Sequence, residues 1–487
     1  MRRSWLARGS LLGIVAALAV PAVASADSLD AANNGVLPDS VAINSMWVIV
    51  AGCLVMFMQA GFAFLEIGFS RGKNAGTVIA KILTNFSIAA IMYWAIGFAF
   101  AFGNGKIIGN HGFFLRDYGD PQKGFPVMGL SDATIETKFF FQFTFCAVSL
   151  AIVWGTTLER VKFGVYAIYA VVFAALIYPI GSHWVFGGGW LQANLGMQDF
   201  AGSTAVHLIG ATGALAVLLL LGPRRGKYGA DGRPRPIPGH NMPLFGLGIL
   251  ILWLGWFGFN PGSTLGALDG RFPEVIIVTQ LAASAGVIMA IITSRLLMKK
   301  IDIGMAGNGA IAALVGITAP SGYVSPWAAV IIGAVAGVLV VVSVLAIDRK
   351  IDDPVGALSA HGIAGIWGTL ACGLFTNPAL ADYNAVGEGG LFYTGSFHQL
   401  GVQALGVVTV FAFVFVASFI TFFLIKKTYG LRVTADEEDA GLDISEHGMY
   451  GYPEQFIPAP ELVGVGPVQT PAGATASSGM KPSEVPA

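Results

Sequence analysis

Eleven apolar runs, each long enough to cross a lipid bilayer, constrain this chain more than any other feature. They lie near 41–69, 78–103, 138–158, 162–182, 199–222, 242–260, 273–297, 303–319, 327–347, 355–377 and 399–425. A hydrocarbon core about 30 Å thick takes about 17–25 apolar residues as a helix, which satisfies its own backbone there. The chain is 55% hydrophobic and 11% charged, against about a quarter charged in soluble domains. The expected fold is an all-α polytopic membrane protein with eleven transmembrane helices between residues 41 and 427. The eighth run is short and dense in glycine (Gly304, Gly307, Gly309, Gly316), which suits tight helix packing or a broken helix. A net charge of −1 gives no support to nucleic-acid binding. Cys53, Cys146 and Cys372 fall inside apolar runs and read as small buried hydrophobes, not as disulfide or metal ligands.

Residues 1–26 have the form of a signal peptide. Arg2, Arg3 and Arg8 are the basic part, Leu11 to Val20 the apolar part, and Ala24-Ser25-Ala26 the cleavage site. Cleavage would place residues 27–40 on the periplasmic side of a bacterial inner membrane. Alternate loops then fall inside, and these carry most of the bases: Arg71, Lys73, Arg160, Lys162, Arg224, Arg225, Lys227, Arg295, Lys299, Lys300, Arg349, Lys350, Lys426 and Lys427. Opposite loops hold Lys106, Arg116, Lys123, Lys138 and Arg271. This bias agrees with the signal peptide and gives a cytoplasmic C-terminus. From Thr434 the chain turns acidic, and residues 454–487, rich in Pro, Ala, Gly, Ser and Val, read as a disordered tail.

Two stretches repeat. Asp199 is followed by Gly202 and His207, and Asp353 by Gly356 and His361, at the same spacing. They open the fifth and tenth runs. Five spans per half is an odd number, so the halves have opposite topology, as inverted repeats plus a final helix. A carboxylate suits a helix N-terminus, where free N–H groups and the macrodipole favour it. Asp199 and Asp353 thus read as structural caps, with direct substrate contact as the other reading. At about 1.5 Å per residue each His lies about 12 Å from its own face, so the two meet near the midplane. An ionisable residue at membrane depth is a functional hypothesis, and two in symmetric positions strengthen it. Neutral imidazoles donate at one nitrogen and accept at the other, so the pair can bind a small neutral solute or pass a proton.

At these residues the chain resembles the ammonium transporter family, the Amt/Mep/Rh proteins. The resemblance runs from about Trp47 to Tyr452. Besides the two repeats it rests on Trp256-Phe257-Gly258-Phe259-Asn260-Pro261-Gly262-Ser263, Leu158-Glu159-Arg160, Gly430-Leu431-Arg432-Val433 and Gly441 to Gly448. It implies eleven helices in two inverted halves, a homotrimer with one pore per subunit, and no cofactor or metal. His207 and His361 would be the pore pair, Phe145 and Phe259 the stacked gate, Ser263 the outer ammonium-recruiting hydroxyl and Trp256 a pore-lining residue. Asp199 matches the acid below the outer vestibule that the family needs for transport or architecture. Residues 428–453 resemble the cytoplasmic regulatory segment, which in bacteria meets PII-type signal proteins. One position departs from the family: Phe186 stands before Gly187-Gly188-Gly189 where many relatives have Trp. Phe offers a weaker cation–π face. Either Phe186 substitutes, or Trp184 or Trp190 swings in, or recruitment is weaker.

Phe145, Phe186, Phe259 and Ser263 would form an aromatic and hydroxyl cup at the outer mouth that attracts a cation, while an apolar wall beyond it makes passage of an intact charge cost several kcal/mol. Ammonium can leave its proton behind; K⁺ and Na⁺ cannot. Uptake of ammonium as ammonia follows. A proton that passes through the His pair makes transport electrogenic, and one that does not makes it neutral; both stay open from sequence. Three rivals remain: axial haem ligation by the two histidines, an ammonium sensor of the same fold, and a channel for another neutral gas such as carbon dioxide.

Overall fold

The computed structural model describes residues 37–116, 125, 127 and 131–456. The signal peptide and the tail beyond 456 lie outside the described residues. Among the described residues ten helices are long and apolar enough to cross a membrane, α1 Asp39–Phe69, α2 Gly72–Phe102, α3 Ile135–Gly155, α4 Phe163–Leu195, α5 Ser203–Leu221, α6 Met242–Gly262, α7 Phe272–Met298, α9 Pro326–Ile347, α10 Leu358–Phe375 and α11 His398–Thr428, and a shorter apolar helix, α8 Ile303–Thr318, stands where the eighth run was expected. No strand occurs among the described residues, which hold two isolated bridges, Val161 with Arg432 and Tyr228 with Pro234. The eighth helix is short, 16 residues, and almost wholly buried from Asn308 to Thr318. Its glycines serve close packing: a Cβ on Gly309 would lie 2.4 Å from the Ala290 Cβ of α7. Cys146 and Cys372 are buried, but Cys53 is exposed on α1. Its apolar run has a side facing away from the rest of the described chain, where an apolar residue need not be covered by this chain.

The ends of the bundle differ in charge. At one end, here the basic face, Glu159 accepts from Arg71 Nε (2.6 Å) and the Arg71 amide (2.8 Å). Glu159 has φ of +72°, a left-handed turn between α3 and α4 that aims its carboxylate at that arginine. Arg224 forks onto Asp352 at 3.0 and 2.9 Å, and fully buried Arg160 donates to the Leu158, Gly222 and Asp352 carbonyls. These bidentate and multiply satisfied contacts are the form in which buried charges are tolerated. They tie the α3–α4 turn to the end of α5 and the start of α10.

The chain after α11 folds back over this face. Lys162 N–H donates to the Leu431 carbonyl, and Val433 N–H to Arg160. The acidic run meets basic loops: Glu438 accepts from Arg432 Nη2 (2.7 Å) and the Arg225 amide (2.7 Å), and Lys73 reaches the Glu438 and Asp439 carbonyls. Asp443 accepts from the amides of Gly76 and Thr77 at 2.9 and 2.8 Å, in the first turns of α2. Negative charge there complements the N–H groups of a helix start.

Candidate functional site

The repeated stretch folds the same way twice. Asp199 does not begin a helix; it precedes one. Its carboxylate accepts the amides of Gly202 (2.7 Å), Ser203 (3.0 Å), Thr204 (2.8 Å) and Ala205 (3.0 Å). Asp353 accepts Gly356 (3.1 Å) and Leu358 (2.7 Å). The glycine three residues on is required in each case, because Gly202 has φ of +120° and Gly356 of +74°. The helices start at Ser203 and Leu358, so each His sits in the first turn rather than two turns in. The non-helical lead-in covers the remaining depth, since extended chain advances more per residue than helix.

Both first turns are π-helical, Ser203–Leu208 and Leu358–Ile363. The His207 amide, for example, reaches back to the Gly202 carbonyl at 3.1 Å. Such wide turns are frequent at functional sites. α5 enters from the face opposite the basic one and α10 from the basic face, so the first turns meet head to head. Glycines permit the approach: a Cβ on Gly365 of α10 would come 2.7 Å from the Ser203 carbonyl. Thr204 and Thr369 share a hydroxyl contact of 2.6 Å across the same interface.

The result is a column of four rings. Phe145 stacks on Phe259 at 4.0 Å between centroids, Phe259 on His207 at 5.4 Å, and His207 on His361 at 5.3 Å. The two histidines face each other through Nδ1, 3.2 Å apart. Trp256 lies alongside, 5.2 Å from His207, and its indole N–H donates to Thr318 Oγ1 at 3.0 Å. Trp256, Phe259 and Ser263 share one face of α6 by their spacing of three and four residues. His207, Phe259 and Trp256 are fully buried, Phe145 is 1% exposed and His361 6%. His207 Nε2 is buried without a hydrogen-bond partner among the described residues. Such a nitrogen is costly to leave unpaired and is suited to a solute that brings a hydrogen bond.

Ser263 follows α6 at the non-basic end, half-buried, with its hydroxyl donated to the Phe259 carbonyl at 2.8 Å. Phe186 is half-buried beside the Asp199 loop, where a Cβ on Gly202 would stand 3.4 Å from its Cζ. Among the described residues it makes no ring pairing with Phe145 or Phe259. The neighbouring tryptophans are held elsewhere: Trp184 donates to the Ile107 carbonyl at 2.7 Å and packs on Phe413 and Trp190. The column thus gathers His207, His361, Phe145, Phe259 and Trp256, with Ser263 and Asp199 at its non-basic end and Phe186 off its axis.

Sequence reading missed four residues around the column. Phe62 of α1 is 6.4 Å from the His361 ring, and Thr318 anchors Trp256. Neither stands out from ordinary apolar or helix-end composition. Glu66 and Lys81 are another matter, since each is the lone charge of its apolar run, near the run's basic-face end, and the two form a buried ion pair. Intramembrane charge was the available signal.

The sequence profile of the Ammonium Transporter Family matches residues 46–452. The chain is 42% identical over 434 residues to a protein named ammonium transporter Amt2 of Archaeoglobus fulgidus, covering 86% of this chain and 90% of that one. It is 34% identical over 417 residues to the ammonium transporter of Bacillus subtilis, covering 85% and 99%. Among solved structures it resembles one titled Sensor Amt Protein (TM-score 0.77, 37% identity, 84% and 99% covered). It also resembles Candida albicans Mep2 (TM-score 0.73, 27% identity, 81% and 87% covered).

Proposed function

The chain belongs to the ammonium transporter family, and we propose that it carries ammonium across the membrane as ammonia while the His pair relays the proton. It is a membrane transporter and not an enzyme. Ammonium is recruited at the non-basic end by Ser263 and the outer aromatic rings. Past the Phe145–Phe259 gate it gives up its proton to His207 Nε2, which has no hydrogen-bond partner among the described residues, and ammonia follows the apolar path. The observation that carries this reading is the 3.2 Å contact between His207 Nδ1 and His361 Nδ1. It joins the two imidazoles by one hydrogen bond within an otherwise apolar column, where an intact cation would pass at a cost of several kcal/mol.

The bacterial inner membrane, a periplasmic N-terminus and the basic face toward the cytoplasm are the orientation supported by the distribution of Arg and Lys. The family resemblance supports a homotrimer. The docked segment from Gly430 to Tyr452 is a reasonable contact for a PII-type signal protein, since it binds both the α2 start and the end of α5. The likeness to a sensor Amt protein favours one second reading, in which the docked segment reports ammonium and flux is small.

The deciding experiment applies ammonium pulses to purified protein in liposomes on a solid-supported membrane. A current in wild type that His207→Ala plus His361→Ala abolishes is the expected result. Full current in the double variant, with K⁺ still excluded, removes the pair from the proton path. Absence of both current and ammonia flux in wild type moves the assignment to the sensor.

A further inference from the structure

Between the His pair and the basic face lies a small cavity of about 20 Å³, room for one molecule about the size of water or ammonia, lined by Phe62, Glu66, Gly155, Asn308 and His361 among others. Its wall is apolar except for three groups. Glu66 is 1% exposed and ion-paired through Oε2 with fully buried Lys81, which also donates to the Trp154 carbonyl at 3.2 Å. Oε1 of Glu66 takes no hydrogen bond from the described residues and stands beside Gly155, where a Cβ would lie 3.4 Å from it. Asn308 donates through Nδ2 to the Val355 carbonyl at 3.1 Å, and its Oδ1 likewise has no donor among the described residues. His361 uses Nδ1 for His207, which leaves Nε2 for whatever enters the cavity.

We propose that Glu66 Oε1 and Asn308 Oδ1 form an exit site, at which ammonium re-formed below the His pair is held before release from the basic face. The inference rests on the transport reading above and adds residues to it. Ammonia reaching the cavity takes the relayed proton from His361 Nε2. An N–H bond forms on the solute as the imidazole N–H breaks, and the ring is left neutral. The product is a small cation with four N–H donors, matched by two acceptor oxygens that lack protein donors. Lys81 sets the strength of the site. A lone buried carboxylate would hold the cation tightly, whereas a carboxylate neutralised by its own lysine binds weakly enough to let it leave.

The test uses Tl⁺, a monovalent cation close to ammonium in size, in crystals of the full chain, alongside current measurements. The expected result is an anomalous peak at Glu66 Oε1 and Asn308 Oδ1 that disappears in Glu66→Gln plus Lys81→Met. Absence of the peak in wild type overturns the proposal. In liposomes the double variant should carry about tenfold less current per folded molecule, the loss of one or two charge-assisted contacts. Thermal unfolding reports the folded fraction. A pair that merely braces α1 against α2 would lower the melting temperature while leaving current per folded molecule and the Tl⁺ peak unchanged, and that result overturns the proposal. A peak in a wild-type protein that carries no current would sink the transport reading while supporting the cation site.

Discussion

His207 and His361 face each other through the same ring atom, Nδ1 to Nδ1, at 3.2 Å. One of these nitrogens carries a proton and the other does not, because two donors or two acceptors would repel at that distance. The two rings are therefore in different tautomers when both are neutral. Their symmetric positions make the two arrangements interchangeable: as one outer Nε2 takes up a proton and the other releases one, the shared proton crosses from Nδ1 to Nδ1, both rings end neutral, and one proton has passed through the pair.

Nitrogen-15 spectra of histidine-labelled protein should show the pair as one Nδ1–H and one Nε2–H imidazole, or as their exchange average. His361→Ala should leave His207 free to adopt either tautomer and collapse the coupling. Finding both rings as Nε2–H tautomers in wild type would contradict the hydrogen bond and the relay built on it.

The Phe145–Phe259 stack closes the column on the non-basic side, and Phe259 also stacks on His207. Phe259→Ala should cost about 3–5 kcal/mol of stability through lost burial and the cavity left behind. Functionally it should admit water and hydrated cations to the histidines. A K⁺ leak measured in liposomes should rise from background in this variant. Exclusion of K⁺ at the wild-type level would assign selectivity to the His section instead of the rings.

Much of this was legible in the sequence. The eleven helices follow from hydropathy, and the pairing of His207 with His361 follows from the repeat and its odd span count. Helix starts were not legible in detail, because Asp199 and Asp353 look like first-turn residues until the glycine at +3 is seen to take positive φ. The departure at Phe186 was legible as a substitution but not as a position. Nothing in its neighbours shows that Trp184 is tied to the Ile107 carbonyl and held off the column. The pair Glu66 and Lys81 was visible as two isolated charges, but their contact depends on how α1 and α2 pack.

The two capping aspartates should respond differently to the same change. Asp199 uses each oxygen for two amides, whereas Asp353 uses one oxygen for Gly356 and the other for Leu358. An Asn side chain replaces one acceptor with a donor that points at N–H groups. Asp199→Asn should therefore lose two charge-assisted bonds, about 3 kcal/mol or more, and Asp353→Asn about half of that. Melting temperatures of the two variants in one detergent test the ratio. Equal losses would mean that the hydrogen-bond count is not what sets the stability of these turns.

Acid stability should depend on Asp352. Burial by itself would raise its carboxyl, but the Arg224 hydrogen bonds and the Arg160 and Arg224 charges outweigh burial and hold it at about 2. A folded value below the unfolded one means that the contribution is complete above about pH 4 and is lost as pH falls toward 2; its size is about 2 kcal/mol. Wild type should lose melting temperature between pH 4.5 and 2.5, by roughly this amount of stability. Asp352→Asn should start lower at pH 6 and show a shallower decline over the same range, because the group that titrates is gone. A decline as steep as wild type in the variant would place the acid-sensitive carboxylate elsewhere, and the tie from α5 to α10 would not be the part of the basic face that yields first.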